Sequence, residues 1–551
     1  MSNVDWVIKI ANQVEAHVRR TKGEGATIVC ASGISPSGPI HLGNLREVMT
    51  VHLVSEELRH RGWQVDHLHS WDDFDRLRKV PAGVSPDFQQ YIGAPLAEIP
   101  DPFGEYDSYA TRYITDFTQA LEQLGVRPRY IRQSRAYRAG QYVEQIKRAM
   151  ARRLEIFDIL AEYQTLRTDT VAERRNEYYP FRVYCQHCHR DTTRITSYDE
   201  ATARIDYTCD SCEYSGSFSL DERVEGKLVW KVDWPMRWSY ERVDFEPAGE
   251  DHAAPGSSFV VGQRIVQGIY EAPAPQFARY AFVGMEGRTK ISSSVGTTAT
   301  VSSALTIIEP CILRWLYARR SNSQAFNIDY GQGLLRLYDE WDALERQIVA
   351  GKASETNQLA YNRSIKTTAG LVERTPLTAP FSLLTSVIDV TQGNMEQTLR
   401  IISQHLANGY SPEMLRGLLE PRLTCAMNWV TNYQPEDERT TIRDSFDAIA
   451  YEQFGEQERA GIRLLVERLD DAWSLEALTR LLYDIPKLVR GLPLDTQPDN
   501  ALKQAQRSFF IALYTLLCGR DTGPRLPTLL LSLGRERVKC LLAPNGKAAI
   551  A

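Results

Sequence analysis

Over the first seventy residues the apolar positions switch from one period to another and back. The run "ATIVCAS" (residues 26–32) is short, β-branched and set between glycines, and it predicts a buried strand. Leu42, Leu45, Val48, Met49, His52, Leu53 and Leu58 then recur at near-helical spacing, and after Gly62 the stretch "WQVDHLHSW" predicts a second strand. Strand, helix and strand in immediate succession make the pattern of a parallel α/β sheet.

From about residue 105 to 175 the period is helical. "YATRYITDFTQALEQLG" sets Tyr113, Phe117, Leu121 and Leu124 on one face and stops at Gly125, and "QYVEQIKRAMARRLEIFDILAEY" continues in the same manner. This block is expected to insert between the two halves of the sheet. Residues 180–225 lack long apolar runs and cluster Cys, His, Tyr and Thr, as a small metal-stapled module would. "SSFVVG" and "YAFVGM" predict strands around a helix from Gln263 to Tyr270, so the sheet resumes over 226–300. Beyond residue 300, "CILRWLYARR", "GLLRLYDEWDALERQIVA", "RLTCAMNWVTNYQ", "RAGIRLLVERLDDAW" and "RSFFIALYTLLCG" all read as helix. The expected organisation is a first sheet half with a helical connecting segment (1–180), a metal module (181–225), a second sheet half (226–300), a linker (301–340) and a helical region (341–551). There is no internal repeat of solenoid period and no long low-complexity segment.

Composition narrows the function classes. With 43% hydrophobic and 24% charged residues in 551, the chain is neither disordered nor fibrous, and it is long enough for several domains. A formal net charge of −6 carries no global basic signal, so nucleic acid would be met by local patches such as Arg127, Arg129, Arg132, Arg135 and Arg138. No apolar run reaches membrane-spanning length and the N-terminus has no signal-peptide core, so a cytoplasmic protein without membrane or DNA partners, and a monomer, is expected. Among nine cysteines, Cys185, Cys188, Cys209 and Cys212 form C-x₂-C-x₂₀-C-x₂-C, the spacing of two knuckles closing one tetrahedral Zn²⁺ site. His187 or His189 could replace a thiolate in that set. Four thiolates make a closed, structural site.

The densest candidate chemistry lies in "CASGISPSGPIHLGNLREVM" (residues 30–49), between the first strand and its helix. Gly33, Gly38 and Gly43 let backbone approach a ligand, Pro36 and Pro39 stiffen the turn, and His41 and Asn44 can donate to phosphate oxygens at a helix N-terminus. The spacing is neither GxxxxGK[ST] nor GxGxxG with a distal acid.

"PSGPIHLGN" resembles the HIGH signature of class I aminoacyl-tRNA synthetases, with His41, Leu42, Gly43 and Asn44 in its four places. "MEGRTKISSSVG" resembles their second signature, KMSKS, with Lys290, Ile291, Ser292, Ser293 and Ser294 in its five. "WDDFDRLRKVP", "IPDPFG", "LVWKVDWPMRW" and "GEDHAAPGSSF" are similar to the class I lysyl-tRNA synthetase, and the likeness covers most of the chain, strongest over 25–310.

The resemblance implies an α/β Rossmann-type catalytic domain with a zinc-binding insertion, followed by an all-α region for anticodon recognition. It implies activation of L-lysine by ATP, with Mg²⁺, to lysyl-adenylate, then transfer to the 3′ end of tRNA(Lys). Such chemistry proceeds by positioning and charge stabilisation, without a nucleophilic side chain. Carried over residue by residue, His41, Asn44 and Lys290 are catalytic. Pro36, Ser37, Gly38, Gly43, Asp251, Ser292, Ser293 and Ser294 bind ATP, and Gly33, Ser35, Trp230, His252 and Tyr280 bind lysine. Trp230, Trp234 and Trp238 recur every four residues, so any of them could line that pocket or lie in the core. Ser293 stands in place of the second signature lysine, and Glu250 in place of a lysine in "GKDH". Two alternatives stand beside this reading: a class I synthetase for another amino acid, and an RNA-binding paralogue without aminoacylation activity.

Overall fold

The computed structural model of the chain describes residues 5–81, 83–163, 171–252, 256–285, 300–367, 379–406 and 410–543. They form two compact units, one of Met1–Leu305, Pro310–Asp329 and Ala350–Val372, the other of Thr306–Glu309, Tyr330–Val349 and Glu373–Ala551.

The first unit opens with α1 (Trp6–Thr21), β1 (Ile28–Ile34), α2 (Leu42–His60) and β2 (Val65–Trp71), the last three as the periodicity predicts. α3 (Tyr109–Gln123) follows, then β3 (Arg129–Arg132), a strand hidden inside the block that reads as purely helical. After α4 (Gln133–Arg138), α5 (Val143–Ala151), α6 (Arg153–Ala161) and α7 (Val171–Glu177) come the short strands of the cysteine module: β4 (Phe181–Val183), β5 (Thr193–Asp199), β6 (Arg204–Cys209), β7 (Ser215–Ser219) and β8 (Gly226–Leu228). α8 (Trp230–Glu241) leads back into the sheet through β9 (Phe245–Gly249), α9 (Ser258–Gly268) and β10 (Gln276–Tyr280). The main sheet is parallel throughout, in the order β10-β9-β1-β2-β3. Chain order reverses between β1 and β9, so the crevice beyond their carboxyl ends is where an open sheet of this kind binds ligands.

Two predicted strands differ. "SSFVVG" is the start of α9, because Ser257 takes the N-cap position and Phe259, Val261, Ile265 and Val266 bury a helical face. A Cβ at Gly262 would stand 2.9 Å from the Trp238 ring, so this glycine is what lets α9 pack closely on α8. A three-residue apolar run cannot distinguish the two periods, and this packing decides it. In "YAFVGM", the strand β11 (Val283–Met285) leaves the main sheet and pairs in parallel with β12 (Phe326–Ile328).

α2 is buried on nearly every side, so it carries a core rather than an amphipathic stripe. Beyond it lie α10 (Val301–Leu305), α11 (Pro310–Ala318) and α13 (Glu355–Ser364), with α12 (Gln332–Val349) belonging to the second unit. Arg314 on α11 is fully buried, donates to the Leu124 and Arg363 carbonyls at 2.7 and 2.6 Å, and pairs with Glu56 at 3.1 Å. Arg363 in turn pairs with Asp5 at 2.8 Å and Glu57 at 3.2 Å. These bonds account for residues 350–372 lying with the sheet unit, although their pattern groups them with the helical region.

Among the described residues the second unit is built of helices. Its buried Arg422 pairs with Glu309 at 2.6 Å and Asp342 at 2.8 Å, and its guanidinium lies over Tyr338, which stacks on Phe381 at 3.8 Å. A second apolar cluster gathers around Leu465, Leu482, Leu513 and Leu529. No helix among the described residues is long and apolar enough to cross a membrane.

The sheet core also buries His52, His67 and His69. Burial disfavours the imidazolium, holding His67 and His69 down to about 3 and His52 well below its ordinary value. A histidine neutral in the folded state and titrating near 6.5 when unfolded contributes stability that is complete above about pH 6.5 and declines as pH falls. Glu47, discussed below, opposes this trend, so the test is differential. Relative to a His67→Leu variant, the parent should lose about 1.4 kcal/mol between pH 7.5 and 5.5 in urea denaturation followed by tryptophan emission.

Candidate active site

The turn between β1 and α2 is tied into one conformation. His41 is the extended N-cap of α2, its N–H donates to Asn44 Oδ1 at 3.2 Å, and the Asn44 N–H donates to the His41 carbonyl at 2.9 Å. A Cβ at Gly43 would stand 2.8 Å from the His41 ring, so glycine lets the imidazole fold back over the first turn. Pro36 and Gly38 are buried, and the Ser37 carbonyl accepts from the Tyr109 hydroxyl at 2.9 Å, which pins the turn from the side of α3. The N-terminus of a nineteen-residue helix behind β1 offers unpaired N–H groups and a positive partial charge to an anion.

Beside the turn lies an acidic floor. Glu47, one turn into α2, accepts from the Gly33 N–H at 2.8 Å through one carboxyl oxygen and from the Tyr280 hydroxyl at 2.7 Å through the other. It thereby joins β1, α2 and β10. Burial pushes its carboxyl up to about 8, the two donors notwithstanding, and Glu246 and Asp72 add to the rise. Among the described residues, no cation pairs with it.

An aromatic ladder runs along α8. Trp230, the first residue of α8, stacks on Trp234 with ring centres 5.2 Å apart, and His252 meets Trp234 edge-on at 5.8 Å. Trp234 and Trp238 are core residues, whereas Trp230 stays half-buried. Arg237 lies over Trp230 at 5.4 Å and pairs with Asp72 at 2.6 Å and Asp233 at 3.3 Å. Asp251 is exposed on the short helical turn Glu250–His252 that follows β9, where Gly249 pairs with Tyr280.

The structure thus brings Gly33 and Tyr280 together through Glu47, groups His41, Gly43 and Asn44 with Pro36, Ser37 and Gly38, and sets Ser35 on the turn that joins these two groups. Lys290, Ser292, Ser293 and Ser294 lie outside the described residues. Glu47 and Arg237 escape the motif reading. The available signal for Glu47 is an acid in the first half of a largely buried helix, three residues after Asn44 and apart from Glu56 and Glu57 near its far end.

The four cysteines form one cluster. Their sulfurs all lie within 4.8 Å of one another, with Cys185 to Cys212 at 3.7 Å and Cys188 to Cys209 at 3.6 Å. Tetrahedral thiolates at the usual metal–sulfur distance are about 3.8 Å apart, so the donor set fits a four-coordinate metal. The two knuckles are near-copies: His189 and Glu213, each following a second cysteine, take positive φ, and their N–H groups donate to the Cys185 and Cys209 carbonyls at 2.8 and 2.9 Å. His187 stacks instead on Tyr214.

Of the arginines that read as a basic patch, Arg129 pairs with Asp66 and Glu241, Arg132 with Asp73, and Arg138 with Glu98 and Glu225. Each is already paired with an acid from elsewhere in the chain.

Sheet order and the helix terminus behind β1 define a parallel α/β domain whose strand order reverses beside the His41 turn. The chain belongs to the family described as tRNA synthetases class I (K), which matches residues 4–370. It is 43% identical to a lysine-tRNA ligase of Streptomyces coelicolor over 98% of both chains, and 33% identical to a lysine-tRNA ligase of Pyrococcus horikoshii over 97% of this chain and 98% of that one. A solved glutamate tRNA ligase from Elizabethkingia meningosepticum aligns with 94% of this chain and 98% of its own at 16% identity, with a TM-score of 0.42.

Elemental analysis of the purified protein should find about one thiolate-bound metal per chain. A Cys188→Ala/Cys212→Ala variant should lose the metal and unfold at lower temperature.

Proposed function

We infer that the chain is a lysine-tRNA ligase, an enzyme that activates L-lysine with ATP and transfers the lysyl group to tRNA. The observation that carries this is the match over 98% of the chain to a lysine-tRNA ligase, within a family whose match spans the whole sheet unit to residue 370. The acidic pocket supports the same reading.

In this reading His41 and Asn44 hold the triphosphate at the start of α2, aided by Gly43 and by Pro36, Ser37 and Gly38 in the turn. Asp251 contributes on the nucleotide side. Lys290, with the hydroxyls of Ser292, Ser293 and Ser294, follows the charge as it moves onto pyrophosphate. Mg²⁺ supplies further neutralisation of the phosphate oxygens when bound. Lysine lies over Gly33 and Ser35 with its ammonium toward Glu47, whose bonds to Gly33 and Tyr280 fix the carboxylate in place. Trp230 and His252 flank the methylene stem, where an aromatic face also favours the cation. The cysteine knuckles hold Zn²⁺ as a structural ion and shape the module around residues 181–225, on the acceptor side of the tRNA. Residues 301–340 link it to the helical region 341–551, which reads the anticodon. The enzyme acts as a cytoplasmic monomer on tRNA(Lys).

The first test is amino-acid-dependent ATP–pyrophosphate exchange, with and without tRNA, using lysine, glutamate, cysteine and arginine in parallel. Exchange with lysine alone, reduced about 100-fold or more in His41→Ala, supports the reading. Absence of exchange with every amino acid while tRNA still binds would indicate an RNA-binding paralogue.

The raised Glu47 carboxyl adds a pH signature. It is largely protonated below about 8 in the free enzyme, and an ammonium ligand requires the carboxylate. The KM for lysine should therefore fall as pH rises from 6 to 8 and level off above. In Glu47→Gln the KM should be raised and flat across that range.

A further inference from the structure

We propose that the loop between Pro100 and Ser108 is a stacking platform for the unpaired 3′-terminal nucleotides of the tRNA, an inference that rests on the ligase reading above. The loop is closed at its base, where the Tyr109 N–H donates to the Ile99 carbonyl at 3.0 Å. Asp101, buried within it, accepts from the Glu105 and Tyr106 N–H groups at 2.7 and 3.1 Å and receives Arg112 on both oxygens at 2.6 and 2.9 Å. This one carboxylate sets the shape of the loop.

The braced loop turns two rings outward. Phe103 is 57% exposed and Tyr106 36%, and the Arg112 guanidinium lies 4.6 Å from the first ring centre and 4.9 Å from the second. Compact closed loops that order their own side chains are frequently functional.

The position suits the reaction. The Leu96 and Ala97 N–H groups donate to the Asp75 and Asp73 carbonyls, just beyond β2, and Tyr109 reaches the Ser37 carbonyl in the turn beyond β1. The loop is therefore anchored to both strand ends that frame the crevice, where the 3′ end of the tRNA must arrive.

The chemistry favours bases over phosphates. Aromatic and guanidinium faces stack unpaired bases of any sequence. Arg112 is already neutralised by Asp101 and by Glu105 at 2.9 Å and lies over both rings, so it braces them without a free charge for a phosphate. Glu105 and Asp107, both exposed, present acceptors beside the rings. Carboxylates accept from exocyclic amino groups, which cytosine and adenine carry, and every tRNA ends in those two bases.

The test compares two ligands, a lysine tRNA transcript and the same transcript without its unpaired 3′ tail. Phe103→Ala/Tyr106→Ala should weaken binding of the complete transcript about 5- to 50-fold and change binding of the truncated one by less than about twofold. Phe103→Leu/Tyr106→Leu, which keeps bulk and removes the rings, should behave alike, and Phe103→Trp should bind at least as well as the parent. Equal weakening toward both transcripts, or no weakening toward either, would overturn the proposal. Lysine charging by the parent is measured in the same preparation: a parent that binds tRNA but charges no lysine counts against the ligase reading and leaves the transcript comparison intact.

Discussion

The carboxyl end of β2 depends on one buried guanidinium. Arg237 on α8 pairs with Asp72 beyond β2, lies close to Asp233 one turn back on its own helix, and donates to the Ser70 hydroxyl at 2.8 Å. Lys227 on β8, also buried, pairs with Asp75 at 2.6 Å and reaches Asp233 at 3.5 Å, and the Tyr137 hydroxyl donates to the same aspartate. Removing one partner from such a network costs about 3–5 kcal/mol, because it strands a charge away from water. Three carboxylates against two cations leave the group short of positive charge, and burial accordingly raises Asp72 while Lys227 holds Asp75 low.

The same network explains why an insertion can interrupt the sheet without loosening it. β8 is at once the last strand of the cysteine module and the carrier of Lys227, so the module is bolted to the end of β2 by a buried ion pair. The Tyr184 hydroxyl adds a bond to the Phe74 carbonyl at 2.6 Å, and the apolar core runs continuously from the knuckles through Tyr207 and Phe218 to α8 and α9. A metal bound by the four cysteines would therefore act on the crevice through packing, by fixing where β8 enters α8.

Much was legible in the residues themselves. Period alone located β1, α2, β2 and α3, since a buried strand and its covering helix leave unmistakable spacings. The cysteine spacing located a cluster whose sulfurs do meet, because two knuckles of the same length impose the same turn twice. The turn around His41 was legible because glycine, proline and a capping asparagine state its local geometry directly.

Tertiary structure decided what local pattern leaves degenerate. "SSFVVG" became helix because Gly262 admits Trp238, and β3 became a strand because an edge beside β2 was free to take it. Arg129, Arg132 and Arg138 read as a nucleic-acid patch until their acids, distant in sequence, arrived beside them. Among three tryptophans at equal spacing, packing buried Trp234 and Trp238 and left Trp230 half-buried. Glu47 acquires its character only where Gly33 and Tyr280 converge on it from separate strands. Sequence determines spacing along the chain, and therefore the motifs and the periods. Burial and charge pairing depend on which distant segments meet, and those decide which of the named groups can act.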